Sequence, residues 1–311
     1  MLKTVFMGTP DFAVASLKAL YDNGYDVRAV FTQPDKPKGR GYKLAPPPVK
    51  VLAQEHGTAV YQPLSLKKDA DEYLRVLKDI APDVIVVAAY GKILPKEVLE
   101  LPVYGCVNVH GSLLPKYRGA APIQQAVLDD EKQTGITTML MGEGLDTGDI
   151  LLQESTEIGI NETSAELFDR LADMGAGLLI KTLKALENGE VTPTPQDNEA
   201  ATYAHMINKD MCELDFSLGA RNVHKKICGL SDWPCAVTFL DGKRLKIYKS
   251  ELVSENGSFG KAGEVVDEKK FEVACGEGCI RLVTIQAEGS KRMAAADYLR
   301  GRPVKAGTIL G

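Results

Sequence analysis

Asn108, His110 and Asp146 are side chains of the types, at the spacings, that would serve attack by an amine on a carbonyl. Asn108 and His110 are two apart in Val107-Asn108-Val109-His110-Gly111-Ser112-Leu113-Leu114-Pro115. Alternate side chains of a strand share a face, so these two project together while Val107 and Val109 enter the opposite face. Asp146 lies in Gly144-Leu145-Asp146-Thr147-Gly148-Asp149, where flanking glycines allow a tight loop that presents its carboxylate toward a neighbouring strand end. The amide and imidazole would donate to the oxygen that gains charge as the amine adds. The carboxylate would orient and polarise His110 and help carry a proton from the attacking nitrogen toward the departing one. No metal is needed for this step.

Other readings of the same residues stand beside this one. A lone Asn or His at a strand end is more often a satisfied structural group, and an Asp in a glycine-rich loop more often bonds its own backbone. Ser112, His110 and Asp146 also suggest a serine hydrolase. Against it, the Gly-x-Ser-x-Gly elbow is missing and His110 and Ser112 belong to one local segment.

The elements that must carry these residues are legible as an alternation of buried strands and helices. Thr4 to Met7, Val27 to Phe31, Val84 to Ala88 and Val107 to Val109 read as strands; Phe12 to Leu20, Val49 to Gln54 and Tyr73 to Leu77 show helical spacing. The alternation predicts a parallel sheet with helices on both faces, and ligands of such sheets bind at the C-terminal strand ends. Thr9 is placed to cap the first helix, with Pro10 at its first position and Asp11 in its first turn. Only Gly8 occupies the turn before that helix, so the Gly-x-Gly-x-x-Gly pattern of a dinucleotide site is missing.

Asn161 to Glu187 reads as one long helix, and the proline-bearing, aperiodic stretch after it as a linker. The reading is a domain over 1–188, a linker over 189–206 and a second domain over 207–311. In the latter, a helix over Leu218 to Cys228 and short strands at Ala236 to Leu240, Leu245 to Tyr248, Gly263 to Val266, Phe271 to Ala274 and Ile280 to Ile285 predict a small closed or nearly closed barrel.

With 311 residues, 44% hydrophobic and 25% charged, the chain has the composition of a globular protein with room for two cores. The net charge of −5 conceals an asymmetry: residues 1–206 hold 20 basic and 28 acidic side chains, residues 207–311 hold 17 and 14. That mild contrast permits a polyanionic partner for the second half without requiring one. The six cysteines are scattered, the closest pair being Cys275 and Cys279, and read as packed thiols rather than a metal or disulfide set. No apolar run approaches the roughly 18 residues of a membrane span, and no secretory segment precedes the first strand. The chain is read as a cytoplasmic monomer.

Asn108 to Pro115, followed by Tyr117-Arg118-Gly119-Ala120-Ala121-Pro122-Ile123, resembles the signature of the formyltransferases that use 10-formyltetrahydrofolate. The resemblance implies that Asn108, His110 and Asp146 are the catalytic trio, on a Rossmann-like open sheet followed by a smaller barrel of the oligonucleotide-binding type. It implies a folate pocket from Ala88, Tyr90, Leu94, Ser112, Leu113, Leu114 and Pro115, with the pterin in an apolar slot held mainly by backbone groups. The formyl donor, 10-formyltetrahydrofolate, is then a co-substrate, and no metal is expected.

Two further segments, Met7 to Ala13 and Phe31 to Gly41, are similar to the branch whose acceptor is initiator methionyl-tRNA, which supplies formylated methionine for translation initiation. The stretch from Pro34 to Lys50 carries Lys36, Lys38, Arg40, Lys43 and Lys50 among glycines and prolines, a basic segment able to reach phosphates. In the resembling enzymes this loop enters the acceptor end of tRNA, which makes Lys36, Lys38, Arg40 and Lys43 the candidate tRNA contacts, Arg40 foremost. Lys209, Arg221, Lys225, Lys243, Arg244 and Lys246 are candidates for a basic side of the barrel. The rivals are a relative that formylates an amino sugar or glycinamide nucleotide, a formylfolate hydrolase, and a tRNA-binding protein without catalysis.

Overall fold

The structure, a computed structural model, describes residues 2–38, 43–66 and 70–311. The chain divides into two compact units, one of Met1–Gly119, Gly135–Thr156 and Phe168–Tyr203, the other of Ala120–Thr134, Glu157–Leu167 and Ala204–Gly311. In chain order the elements up to the second half run β1 (Lys3–Gly8), α1 (Asp11–Asp22), β2 (Asp26–Phe31), β3 (Lys36–Lys38), β4 (Lys43–Ala45), α2 (Pro48–Glu55), β5 (Ala59–Tyr61), α3 (Ala70–Ile80), β6 (Val84–Ala88), α4 (Lys96–Leu99), β7 (Cys106–His110), β8 (Arg118–Gly119), α5 (Pro122–Leu128), β9 (Gln133–Leu140), β10 (Ile150–Glu157), α6 (Ser164–Asn188) and β11 (Tyr203–Ala204).

The main sheet has the order β10-β9-β7-β6-β1-β2-β5. Its five strands β5, β2, β1, β6 and β7 are parallel, as the alternation predicts, while β9 runs antiparallel to β7. Helices cover both faces. On one, Leu77 of α3 joins Val5, Met7, Phe31, Ile85, Val87 and Cys106 in a single cluster. On the other, Phe12 of α1 meets Phe168 of α6 edge-on at 5.3 Å. A Cβ added to Gly175 of α6 would stand 2.9 Å from Val109 Cγ1, so this helix lies close behind the strand that carries Asn108 and His110.

The start of α1 differs from the expectation. Pro10 is the N-cap, with no side-chain cap bond. The Thr9 hydroxyl instead donates to the Tyr90 carbonyl and accepts from the Gln33 amide, each at 3.4 Å. A hydroxyl offered partners from two other strand ends joins them rather than its own helix, a choice invisible to local sequence.

The second unit continues with α7 (Ala220–Leu230), β12 (Ala236–Leu240), β13 (Lys243–Ser254), β14 (Val265–Asp267), β15 (Glu272–Ala274), β16 (Cys279–Ala287), β17 (Met293–Ala294) and α8 (Ala295–Gly301). The order is β12-β13-β16-β15-β14, with β17 added to β16. Register shifts along β13 bend it, as bulges do, around a core that includes Ile227, Ile247, Phe271 and Ile285. The last residues join the two edges: Val265 N donates to Thr308 O at 2.8 Å and Gly311 N to Phe239 O at 3.0 Å. These bonds close the sheet into the expected small barrel.

All six cysteines are free and buried. Burial pushes the Cys106, Cys228 and Cys275 thiols up to about 12, so they are inert packing groups, as read from their spacing. Among the described residues no helix is long and apolar enough to cross a membrane.

His224 of α7 is buried, its Nε2 2.9 Å from the Ile160 carbonyl and its Nδ1 2.8 Å from Ser250 Oγ. The carbonyl only accepts, so Nε2 holds the proton and Nδ1 accepts from the serine. Burial holds this imidazole below its usual 6.5. The unfolded chain therefore binds a proton that the folded chain refuses, and stability is complete above about pH 6.5 and falls as pH drops below it. The unfolding free energy from urea titrations between about pH 7.5 and 5 should decline at up to about 1.4 kcal/mol per pH unit. In His224→Gln that slope should flatten; an unchanged slope would assign it to other groups.

Candidate active site

The local geometry of β7 follows from its pleat. Cys106 enters the apolar cluster beneath α3, so Asn108 and His110, at alternate positions, share its face and emerge at the strand's C-terminal end. Both are buried, at 8% and 6% exposure. No described residue hydrogen-bonds the Asn108 carboxamide, which leaves its N–H groups available.

His110 Nε2 lies 2.9 Å from the Tyr117 carbonyl. A carbonyl cannot donate, so Nε2 carries a proton and Nδ1 is the nitrogen free to gain or lose one. Nδ1 faces Asp146 Oδ2 at 3.8 Å. The same carboxylate oxygen accepts from the Gly119 amide at 2.8 Å. The amide, imidazole and carboxylate singled out by type and spacing are thus brought together, the last two face to face.

Backbone conformation around the pair is unusual. Tyr117 and Asp146 have φ of 60° and 51°, in the left-handed region that favours glycine. Ala89, in the loop after β6, has φ 43°. Non-glycine residues held this way concentrate where a site over-determines its backbone. Gly148 permits the Asp146 loop for a different reason: a Cβ there would lie 1.6 Å from the Leu140 carbonyl oxygen.

The expected folate residues occupy two adjacent strand ends, because Ala88 of β6 pairs with Val109 of β7. Ala88, Tyr90, Leu94, Ser112 and Leu114 are buried, and Leu113 and Pro115 half-buried. The Tyr90 hydroxyl is buried with no partner among the described residues. The loop after β7 is pinned by the Thr137 hydroxyl, which donates to Ser112 O at 2.7 Å and accepts from Leu114 N at 3.0 Å. Gln153 Nε2 donates to Leu114 O and Thr137 Oγ1, both at 2.9 Å. Apolar side chains, an orphaned hydroxyl and backbone groups are the kinds of group that a flat pterin ring takes as walls and edge partners. Ser112 Oγ donates to Lys116 O at 2.6 Å and not to His110, so the serine-hydrolase arrangement is absent.

Thr137, Gln153 and Gln196 were missed by sequence reasoning. Each is a polar residue in a strand or linker with no local pattern to mark it; only contacts across 16 to 78 residues of chain reveal them.

The described part of the basic segment includes two short paired strands. Lys36 and Lys38 lie on β3 and Lys43 on β4, with Lys38 opposite Lys43. The Lys36 ammonium donates to Gln33 Oε1 at 2.7 Å. Arg40 lies outside the described residues. Lys50 is not an available cation: its ammonium contacts both Asp35 carboxylate oxygens and Gln62 Oε1 within 2.9 Å. Those bonds from Lys50, then Gln62, hold the Asp35 carboxyl below the usual carboxylate range. In the second unit Arg221 pairs with Asp130 and Glu255, and the buried Lys225 with Asp130. Lys209, Lys243 and Arg244 remain exposed and Lys246 half-exposed.

The formyl transferase model matches residues 2–183 and the formyl transferase C-terminal domain model residues 206–303. A methionyl-tRNA formyltransferase of Caldanaerobacter subterraneus subsp. tengcongensis is 51% identical over 309 residues, 99% of this chain and 100% of that protein. One of Clostridium novyi is 49% identical over 311 residues, again 99% and 100%. Among solved structures, an N-formyltransferase of Helicobacter canadensis has a TM-score of 0.69 at 23% identity, covering 92% of this chain and all of that one. A sugar 3N-formyl transferase gives 0.68 at 21%, covering 94% and 99%. At such identities these two establish the fold alone. Matches over nearly the whole chain at about half identity establish more: this chain belongs to the methionyl-tRNA formyltransferase family.

Proposed function

We infer that the chain transfers the formyl group of 10-formyltetrahydrofolate to the amino group of methionyl initiator tRNA, giving N-formylmethionyl-tRNA for translation initiation. The observation that carries the reading is the 51% identity maintained along 309 residues with the Caldanaerobacter enzyme. The buried Asn108 and His110 and the half-buried Asp146 supply chemistry that suits it. The work takes place in the cytoplasm.

In the proposed mechanism, bound 10-formyltetrahydrofolate supplies the formyl carbon as electrophile. Ala88, Tyr90, Leu94 and Ser112 to Pro115 would hold its pterin end. The Asn108 N–H donates to the formyl oxygen as charge gathers there, in surroundings that exclude most water. Nε2 of His110 is engaged by Tyr117, so its exchange of protons runs through Nδ1. Asp146 stabilises that nitrogen when protonated, and between them they hold the proton lost by the attacking amine before the departing nitrogen takes it. Their 3.8 Å separation is of the length that closes on substrate binding.

For the acceptor, Lys36, Lys38, Arg40 and Lys43 are the residues proposed to meet tRNA phosphates. Lys209, Lys243, Arg244 and Lys246 are the proposed phosphate contacts of the second unit, now that Arg221 and Lys225 are engaged by acidic partners. The division into a catalytic domain over 1–188, a linker over 189–206 and a tRNA-binding domain over 207–311 remains the proposed functional division, acting as a monomer.

The test is a panel of acceptors offered labelled formyl from 10-formyltetrahydrofolate. Label should enter methionyl initiator tRNA and neither uncharged tRNA nor an amino-sugar nucleotide. Label on the sugar alone, or release of free formate without transfer, would replace the reading with a sister activity or a hydrolase.

A further inference from the structure

We propose that Gln196 is a positioning residue for the reaction: it sets the backbone of the Asp146 loop, and through it the approach of the carboxylate to His110. The proposal rests on the formyl-transfer reading above.

Gln196 lies in the proline-bearing stretch after α6, whose composition gives no hint of a role. That stretch is nevertheless tied down. Thr194 exchanges two backbone bonds with Ile150, at 2.8 and 2.9 Å, and Arg118 N donates to Thr202 O at 2.8 Å. Between these ties the Gln196 amide uses its full capacity. Nε2 donates to Asp146 O at 2.8 Å and Gly148 O at 2.7 Å, and Oε1 accepts from Arg118 Nε at 3.0 Å and Nη2 at 2.7 Å.

Arg118 is the anchor. It is 2% exposed and forms no ion pair among the described residues; Nη2 also donates to Asn198 Oδ1 at 2.9 Å. A guanidinium buried without a carboxylate costs desolvation free energy unless its donors are met, and Gln196 meets two of the contacts. The next residue, Gly119, donates to the Asp146 carboxylate. Asp146 is therefore held twice from the Arg118-Gly119 dipeptide, at its carboxylate directly and at its backbone carbonyl through Gln196. Two points of attachment fix the rotation of a residue that one would leave free. Displacement of a reacting group by about 1 Å can lower a rate by roughly 10²-fold.

Gln196→Glu separates this role from simple support. The variant keeps the acceptor for Arg118, now as an ion pair, and removes both N–H donors to the loop. It should fold with a Tm within a few degrees of wild type, the ion pair with Arg118 offsetting the repulsion between the new carboxylate oxygen and the two loop carbonyls; it should keep its KM for methionyl-tRNA within about two-fold, lose roughly 10- to 100-fold in kcat and show a displaced pH–rate profile. Hydrogen exchange at Asp146 to Gly148 should quicken relative to wild type. Gln196→Ala, which also abandons Arg118, should lower Tm as well. Wild-type kcat and pH profile in Gln196→Glu, or unaltered exchange in the loop, would overturn the proposal. Because exchange is read without turnover, failure of the wild-type chain to transfer formyl would sink the functional reading while leaving the loop-setting role to be judged by itself.

Discussion

Asp146→Asn lowers the turnover number for formyl transfer by roughly 10²- to 10⁴-fold and leaves affinity for methionyl-tRNA within about two-fold. The substitution is nearly isosteric, and the Asn oxygen can still accept from the Gly119 amide that now holds Oδ2 at 2.8 Å. What disappears is the negative charge facing His110 Nδ1. Since Nε2 is already bonded to the Tyr117 carbonyl, Nδ1 has no other described acidic neighbour within ion-pair distance to share the proton taken from the amine. The chemical step should suffer while phosphate contacts elsewhere do not. Steady-state kinetics beside filter-binding of charged tRNA measures both, and an equal loss in each would place Asp146 in acceptor binding instead.

Gly148→Ala is expected to act on the same carboxylate by force. Its Cβ would sit 1.6 Å from the Leu140 carbonyl oxygen, with Gly142 N also at 3.3 Å, so β9's end and the Asp146 loop must part. The expected outcome is a stability loss of roughly 1–3 kcal/mol together with about a 10²-fold fall in kcat. Gly177, exposed on α6 with nothing within 4 Å of an added Cβ, is the control. Gly177→Ala should be stabilising by roughly 0.5–1 kcal/mol and catalytically silent. Full activity in Gly148→Ala, measured alongside denaturant midpoints, would mean that loop placement does not limit the rate.

What the sequence discloses and what it hides divide along physical lines. Period-two alternation in β7 and glycines about Asp146 are local signals, and the shared face of Asn108 and His110 and the tight loop at Asp146 were legible from them. So were the parallel strands and the barrel, whose burial patterns repeat within a few residues. Long-range pairing left no such mark. Thr9 carries every feature of a cap, yet its hydroxyl serves Tyr90 and Gln33, which reach it only through the sheet. Lys50, Arg221 and Lys225 count as basic surface by type, but Asp35 and Asp130 engage them. Gln196 sits where proline and polarity signal a linker, and its hydrogen bonds to Arg118 and to the Asp146 loop depend on strands that meet only after folding.

The most direct measurement is the single-turnover rate of formyl transfer by Asn108→Ala, with the chain in excess over methionyl-tRNA and labelled 10-formyltetrahydrofolate saturating. No described residue is bonded to the Asn108 carboxamide, so its removal leaves no protein group newly unpaired and Tm should hold. The mechanism predicts a rate lower by roughly 10²- to 10³-fold, the loss that follows removal of a donor aimed at developing charge. A rate equal to that of the wild-type chain would contradict the assignment of this buried amide to the formyl oxygen, and with it the catalytic account built on β7.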